Sequence, residues 1–185
     1  MNYPIFVSGP HGSGKTTLIN KLKAKHDIFF ENDFDIDFLT EFPNIKKLSN
    51  FERCLIRLYH RIYLTSHANS LAAGNPEKVI ITSRGIYDSA AYIHTYKKLN
   101  WFSSENSEKL NFIVNNSGFN PYTIVLNPPP EVVTERLEGR RSQGTRKERD
   151  EVFISEDSKE FVESICEYFR SLKNNDNVLY LGLAE

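Results

Sequence analysis

The sequence predicts an α/β protein in which helices cover both faces of a five-stranded parallel sheet. Five short apolar runs, rich in β-branched and aromatic residues, predict the strands, and helical stretches separate them. The runs are Pro4–Ser8, Ile28–Glu31, Val79–Thr82, Tyr122–Asn127 and Val178–Gly182. Parallel strands need long crossover connections, and the helices between these runs supply them.

Two helices are indicated by the spacing of their apolar residues. The first covers Phe51–Ala73 and ends at the stop signal Gly74-Asn75-Pro76. Its predicted core-facing residues are Leu55, Leu58, Tyr59 and Ile62. A second helix, with apolar residues from Phe161 to Leu172, precedes the last strand.

Length and composition limit the class of protein. The 185 residues fit one domain, 1–185, and the net charge of −1 argues against a nucleic-acid or membrane partner. Two distant cysteines, Cys54 and Cys166, predict reduced core residues of an intracellular protein. With no apolar run near the roughly 20 residues of a membrane span and no signal-peptide pattern, we expect a cytoplasmic protein.

The segment after the first strand carries the most specific motif. It matches G-x-x-x-x-G-K-[ST] between a predicted strand and a predicted helix, the context in which this pattern binds phosphate. The motif residues are Gly9, Pro10, His11, Gly12, Ser13, Gly14, Lys15, Thr16 and Thr17. Its glycines allow backbone N–H groups to surround a phosphate chain without Cβ clashes.

Two side chains of the motif complete the predicted nucleotide site. Lys15 supplies a positive charge for the terminal phosphates, and the hydroxyl of Thr16 is expected to bind Mg²⁺. The following helix directs its positive end at the same anion. We therefore expect the chain to bind a nucleoside triphosphate with Mg²⁺.

The absence of certain motifs excludes several classes of phosphate-loop proteins. The D-x-x-G and N-K-x-D elements of GTPases do not occur in the sequence. Motor and transporter ATPases carry an acidic residue at the end of an apolar strand. Here Val79–Thr82 continues into Ser83-Arg84, and Tyr122–Leu126 into Asn127. The small kinases are the class of phosphate-loop proteins that these exclusions leave.

Three further stretches resemble thymidylate kinases and deoxynucleoside kinases. They are the strand-end arginine element from Ser83 to Tyr92, the strand and proline turn from Tyr122 to Val132, and the arginine-rich stretch from Glu135 to Arg141. The resemblance implies a three-layer α/β/α P-loop fold with a small arginine-rich lid. It also implies transfer of the γ-phosphoryl group of ATP to a nucleoside or nucleoside monophosphate, and pairing into homodimers is left open.

The resemblance places the lid at about 139–152 and the acceptor-binding region at about 32–75. Lid arginines in this group neutralise the transferred phosphoryl group or stack on adenine. Here they correspond to Arg140, Arg141 and Arg146. The alternative is that these arginines form a solvated helix end.

One position departs from the family pattern. These kinases have a carboxylate before the strand-end arginine, and this chain has Ser83. Glu31, at the end of the second strand, lies where deoxynucleoside kinases place their catalytic glutamate, and Asp33 is the next candidate base. An ordinary acidic loop at this place is an equally good interpretation.

Acceptor binding is predicted for Arg84, Arg57, Tyr87 and Asp33. Arg57 belongs to a series with Arg53 and Arg61, one residue every four along a helix. These arginines fit either a grip on an acceptor phosphate or a solvent-facing stripe. Tyr87 fits either stacking on a base or core packing.

Two alternative functions stay open. The first keeps the chemistry and changes the acceptor to a non-nucleotide molecule such as mevalonate 3-phosphate, because Ser83 alters a family motif. The second is a non-catalytic nucleotide-binding regulator. Retention of Lys15, Thr16 and Arg84 argues against the regulator, since a passive binder does not need charge that stabilises a transition state.

Overall fold

The centre of the protein is a parallel β-sheet. This computed structural model describes residues 3–27, 29–31, 44–145 and 153–182, with the backbone alone at 30 and 31. The strands are β1 (Ile5–Ser8), β2 (Phe29–Glu31), β3 (Val79–Ser83), β4 (Tyr122–Leu126) and β5 (Val178–Leu181). They follow the order β2-β3-β1-β4-β5, and every pairing is parallel.

The order of the strands creates a crevice at one edge of the sheet. In β1, Val7 lies opposite Ser83 of β3 on one side and Ile124 of β4 on the other. The connection that follows β1 runs toward β2, at one edge of the sheet. The connection that follows β3 runs in the opposite direction, toward β4. Such a switch point opens a ligand-binding crevice outside the carboxyl ends of the two strands. Ser8 and Ser83 end these strands.

Six α-helices lie in the described segments. They are α1 (Lys15–Lys25), α2 (Asn50–Gly74), α3 (Ile86–Lys98), α4 (Ser104–Asn116), α5 (Pro130–Ser142) and α6 (Lys159–Ser171). Short 3₁₀ turns cover Ile45–Lys47, Ile154–Asp157 and Leu172–Asn174. Within these segments, no helix is both long and apolar enough to cross a membrane.

Helices cover both faces of the sheet, because successive strand side chains point to opposite sides. On one face Phe6 and Ile80 pack against Ala68 of α2. On the other, Val7 and Ile81 pack against Ile19 of α1. The predicted α/β fold with helices on both faces of a parallel sheet is confirmed.

Helix α2 begins with a capping box, in which the side chain of Ser49 accepts from the N–H of Glu52 and the carboxylate of Glu52 accepts from the N–H of Ser49. The predicted core face of this helix is partly wrong. Leu58 is buried, but Leu55 and Tyr59 are 38 % and 70 % exposed. Polar side chains occupy the interior side instead, among them His60, Arg61 and Thr65.

Both cysteines lie in the interior, as predicted. Cys54 packs in the cluster that α2 and α3 form with α4 and α6, and Cys166 packs between α5 and α6. Both are free thiols, and burial raises the pKa of each to about 12. Neither thiol is therefore reactive at neutral pH.

Candidate active site

The loop between β1 and α1 has a backbone shape that glycine makes possible. Gly9, Gly12 and Gly14 have φ values of +142°, +76° and +99°. A Cβ on Gly9 would lie 2.1 Å from the carbonyl oxygen of Leu126, so no larger residue fits there. Turns of this kind form anion-binding concavities at the start of a helix, here α1.

Lys15 is the first residue of α1, and the loop encloses its side chain. Its ammonium group donates to the carbonyl oxygens of Gly9 and Pro10, each at 2.7 Å, and contacts Oγ of Ser13 at 3.4 Å. Burial, reinforced by the charge of Arg84, lowers the pKa of Lys15 to about 7. An anion bound in the loop would stabilise the charged form of this amine.

Arg84 directly follows β3 and faces the same loop. Its backbone has φ +70°, which is strained for a residue with a Cβ, and its N–H donates to the carbonyl of Val7 at 2.8 Å. Its guanidinium donates to Nδ1 of His11 at 3.1 Å. The switch-point crevice therefore holds the strand-end arginine against the phosphate loop.

More positive charge faces Lys15 from other elements. The charges of Arg61 and Arg140 also lower the pKa of Lys15. Arg136 donates to the carbonyl of Gly12 at 3.0 Å and so ties α5 to the loop. The site concentrates cations where a polyphosphate would need them.

Thr16 and Thr17 are exposed in the first turn of α1. The Thr16 hydroxyl fits a single protein ligand to Mg²⁺, which binds mainly through phosphates and water when it accompanies a nucleotide. No group of three or more His, Cys, Asp or Glu side chains in the described part of the chain forms a separate metal site. The residues fit a metal that arrives with its nucleotide.

Asp88 is a buried carboxylate beside the loop that sequence reasoning missed. Its Oδ2 accepts from Oγ of Ser8 at 2.6 Å and from the N–H of Gly85 at 2.9 Å. Its Oδ1 has no hydrogen-bond partner among the described residues, and its charge raises the pKa of Lys15. Its position, five residues after Ser83 in a helix that starts at the crevice, is a signal that the sequence did contain.

Glu156 is the second residue that sequence reasoning missed. Its side chain is 1 % exposed and accepts from the two terminal nitrogens of the Arg57 guanidinium, at 2.6 and 3.2 Å, and from the hydroxyl of Tyr96 at 2.5 Å. Nε2 of His11 lies 3.5 Å away. Burial opposes the charge, but Arg57 and His11 outweigh it and lower the pKa of Glu156 to about 2. No local sequence pattern marks this residue.

Arg57 does not present a free guanidinium to an acceptor. It pairs with Glu156 and stacks 3.6 Å above the ring of Phe153. Burial lowers its pKa, but the charge of Glu156 reverses this and raises the pKa above its ordinary value. The interpretation of the α2 arginines as a solvent-facing stripe is wrong, because Arg61 is only 8 % exposed.

The remaining predicted residues lie in three places. Arg140 and Arg141 are exposed in the last turn of α5, and Arg141 lies 3.9 Å from Asp157. The structure does not bring Tyr87 to the loop, because its hydroxyl bonds Asn120 and Asn175 beside the starts of β4 and β5. The side chain of Glu31 and the whole of Asp33 and Arg146 lie outside the described residues.

The comparison with family models decides the family. A model described as an AAA domain matches residues 4–164. The chain belongs to the AAA domain family. The match covers the phosphate loop, the strand-end arginine and the arginine-rich helix, so this AAA domain is a P-loop protein, as the sequence predicts.

Solved structures show the same fold at low identity. Deoxyadenosine kinase from M. mycoides with the products dCMP and dCDP has a TM-score of 0.68 at 15 % identity, over 96 % of this chain and 89 % of that one. Thymidylate kinase from Candida albicans has a TM-score of 0.68 at 18 % identity, over 98 % and 84 %. No protein of curated function matches the sequence of this AAA domain.

Proposed function

We propose that this AAA domain is a kinase that transfers the γ-phosphoryl group of ATP to a nucleoside or a nucleoside monophosphate. The observation that carries the proposal is the convergence of Lys15 and Arg84 on the phosphate loop, at the crevice between β1 and β3. Likeness of the fold to deoxyadenosine and thymidylate kinases supports this choice of acceptor.

The residues fit phosphoryl transfer because this reaction depends on positioning and on neutralising charge. The loop amides and Lys15 hold the β- and γ-phosphates, while Arg84 faces the transferred group from the opposite wall of the crevice. Mg²⁺, held by Thr16, would supply further positive charge to the phosphates. Arg140 and Arg146 are proposed to add further positive charge around the transferred phosphoryl group, which acts strongly once water is excluded from the site.

We further propose a single catalytic domain over 1–185, with the acceptor bound by about 32–75 and a lid over about 139–152. Arg141 is assigned to ATP, and Asp33 and Arg84 to the acceptor. We place the enzyme in the cytoplasm, in keeping with its two free buried thiols, and assign it no nucleic-acid or membrane partner. A homodimer is compatible with this arrangement.

The experiment that tests the function is an acceptor panel with ATP and Mg²⁺. It contains nucleosides, nucleoside monophosphates and mevalonate 3-phosphate, and it measures ADP formation and the phosphorylated product. We expect one nucleoside or monophosphate to accelerate ADP release by at least about 100-fold. Activity with mevalonate 3-phosphate alone would contradict the nucleotide assignment. Tight ATP binding with no active acceptor would indicate a regulator.

Glu31 is the proposed general base, and its substitution distinguishes two kinds of acceptor. For a hydroxyl acceptor, Glu31→Gln should lower kcat by about 100-fold or more, whereas Asp33→Asn should have a smaller effect. A monophosphate is already ionised at neutral pH and needs no base, so kcat would then change little. Equal large losses in both variants would contradict the assignment of the base to Glu31.

A further inference from the structure

Three side chains contact one another in succession, from the crevice to the buried Glu156. Nη2 of Arg84 lies 3.1 Å from Nδ1 of His11, and Nε2 of the same ring lies 3.5 Å from Oε2 of Glu156. His11 belongs to the phosphate loop, Arg84 follows β3, and Glu156 lies in the 3₁₀ turn Ile154–Asp157. The imidazole therefore lies between a guanidinium and a carboxylate.

The chemistry of these groups determines the protonation of the ring. Arginine can only donate, so Nδ1 of His11 has to accept and carries no proton. The neutral ring then has its proton on Nε2, which faces Glu156. Burial and the charges of Arg84 and Lys15 lower the pKa of His11 to about 4 against the opposing effect of Glu156. Tyr92 meets the ring edge-on, with 5.9 Å between centroids.

Glu156 is itself held from two helices. The guanidinium of Arg57, in α2, binds both carboxylate oxygens, and the hydroxyl of Tyr96, in α3, donates to Oε1. Arg57 is fixed in turn between the rings of Phe153 and Tyr92, at 3.6 and 4.9 Å from their centroids. The carboxylate that faces His11 thus has little freedom to move.

We infer that His11 and Glu156 form a positioning pair that orients the guanidinium of Arg84 toward the phosphate loop. This role rests on the proposed function, because the benefit of a fixed Arg84 is realised when phosphoryl charge develops. The role assigned to the pair is to position Arg84 and not to react with the phosphoryl group. The pair acts by removing the rotational freedom of a long side chain before the substrate arrives.

The first test is independent of catalysis. The full chain, labelled with ¹⁵N-histidine and free of nucleotide, is studied by long-range ¹H–¹⁵N NMR between pH 4 and pH 8. We expect His11 to be neutral at pH 6, with the proton on Nε2. In Arg84→Gln the neighbouring cation is lost, so the pKa of His11 should rise. A proton on Nδ1, or an unchanged pKa in Arg84→Gln, would overturn the inference.

The second test separates positioning from folding. A glutamine at position 11 can accept from Arg84 and donate to Glu156, whereas a leucine can do neither. With ATP and the best acceptor, His11→Leu should lower kcat by about 10- to 100-fold and leave KM for ATP within about threefold. His11→Gln should keep kcat within about fivefold of the wild type. Equal kcat values for the two variants would overturn the inference.

Glu156→Gln should resemble His11→Leu where the variant folds, as checked by circular dichroism. Glu163→Gln is its matched control, because Glu163 is exposed and pairs with Lys159 of its own helix, 3.9 Å away. Failure of the wild type with every acceptor would contradict the proposed function, and the NMR result alone would then decide the role of the pair.

Discussion

The hydroxyl of Ser8 donates a 2.6 Å hydrogen bond to the carboxylate of Asp88. Ser8 ends β1 directly before the phosphate loop, and Asp88 lies in the first turn of α3 directly after the strand-end arginine. Because the same oxygen of Asp88 also accepts from the N–H of Gly85, one buried carboxylate joins the two walls of the crevice. This contact, together with the bond from the N–H of Arg84 to the carbonyl of Val7, holds the phosphate loop and Arg84 in their relative position.

Removal of this carboxylate should weaken the fold measurably. Asp88→Ala is expected to lower the free energy of unfolding by about 1–3 kcal/mol, because the buried acceptor of Ser8 and Gly85 is lost. Ser8→Ala should cost about 1 kcal/mol. Urea unfolding of the single and double variants tests the contact. Since both changes remove one shared bond, their effects should not add, and additivity within about 0.3 kcal/mol would contradict it.

Arg84 should show opposite requirements for stability and for activity. Its φ of +70° strains every residue except glycine, so Arg84→Gly should be more stable than Arg84→Ala by about 1 kcal/mol. Both variants lose the guanidinium and should lose at least about 100-fold in kcat/KM. Thermal unfolding and steady-state kinetics measure the two effects. Full activity in either variant would show that Arg84 serves only the fold.

Gly9 is expected to be the least replaceable glycine of the loop. A Cβ at this position would overlap the carbonyl oxygen of Leu126, and φ is +142°. Gly9→Ala should therefore cost more than about 3 kcal/mol of unfolding free energy. Gly139→Ala, where a Cβ meets nothing within 4 Å, is the matched control and should be neutral or stabilising. Similar stabilities in the two variants would refute this account of the loop.

The stability of the protein should depend on pH through His11. The pKa of His11 is about 4 in the folded protein, below the 6.5 of an ordinary histidine, and its side chain is 21 % exposed. Between these values the unfolded chain binds a proton that the folded chain does not, so stability is present above pH 6.5 and lost as the pH falls toward 4. From pH 7 to pH 5 the wild type should lose about 2 kcal/mol more than His11→Gln. Urea unfolding at both pH values gives the comparison, and equal losses would contradict the burial of a neutral ring.

The central strands β1 and β3 were predictable because each is an apolar run covered on both faces. The structure begins β1 at Ile5 and ends it at Ser8, one residue from the prediction, and places β3 and β4 equally closely. The phosphate loop was predictable for another reason. The shape of this loop depends on glycines at fixed positions and on the adjacent Lys15. All of these residues lie within one short sequence motif, so the motif alone identifies the loop.

Contacts between distant segments could not be predicted in this way. Arg57 has the spacing of a surface stripe, but tertiary packing places it between Phe153 and Glu156. Tyr59 has the spacing of a core residue, but it is exposed. The reason is that α2 directs polar side chains such as Arg61 into the interior. Burial of these polar groups depends on partners from other elements, which helical periodicity does not reveal.

Isothermal titration calorimetry with ATP and Mg²⁺ tests most directly whether the loop from Gly9 to Thr17 binds a polyphosphate. We expect magnesium-dependent binding by the wild type and by Lys25→Ala, an exposed control at the other end of α1. Lys15→Ala should keep its fold and lose at least about tenfold in affinity. No magnesium-dependent heat with any nucleoside triphosphate, or equal affinity in Lys15→Ala, would contradict the central claim.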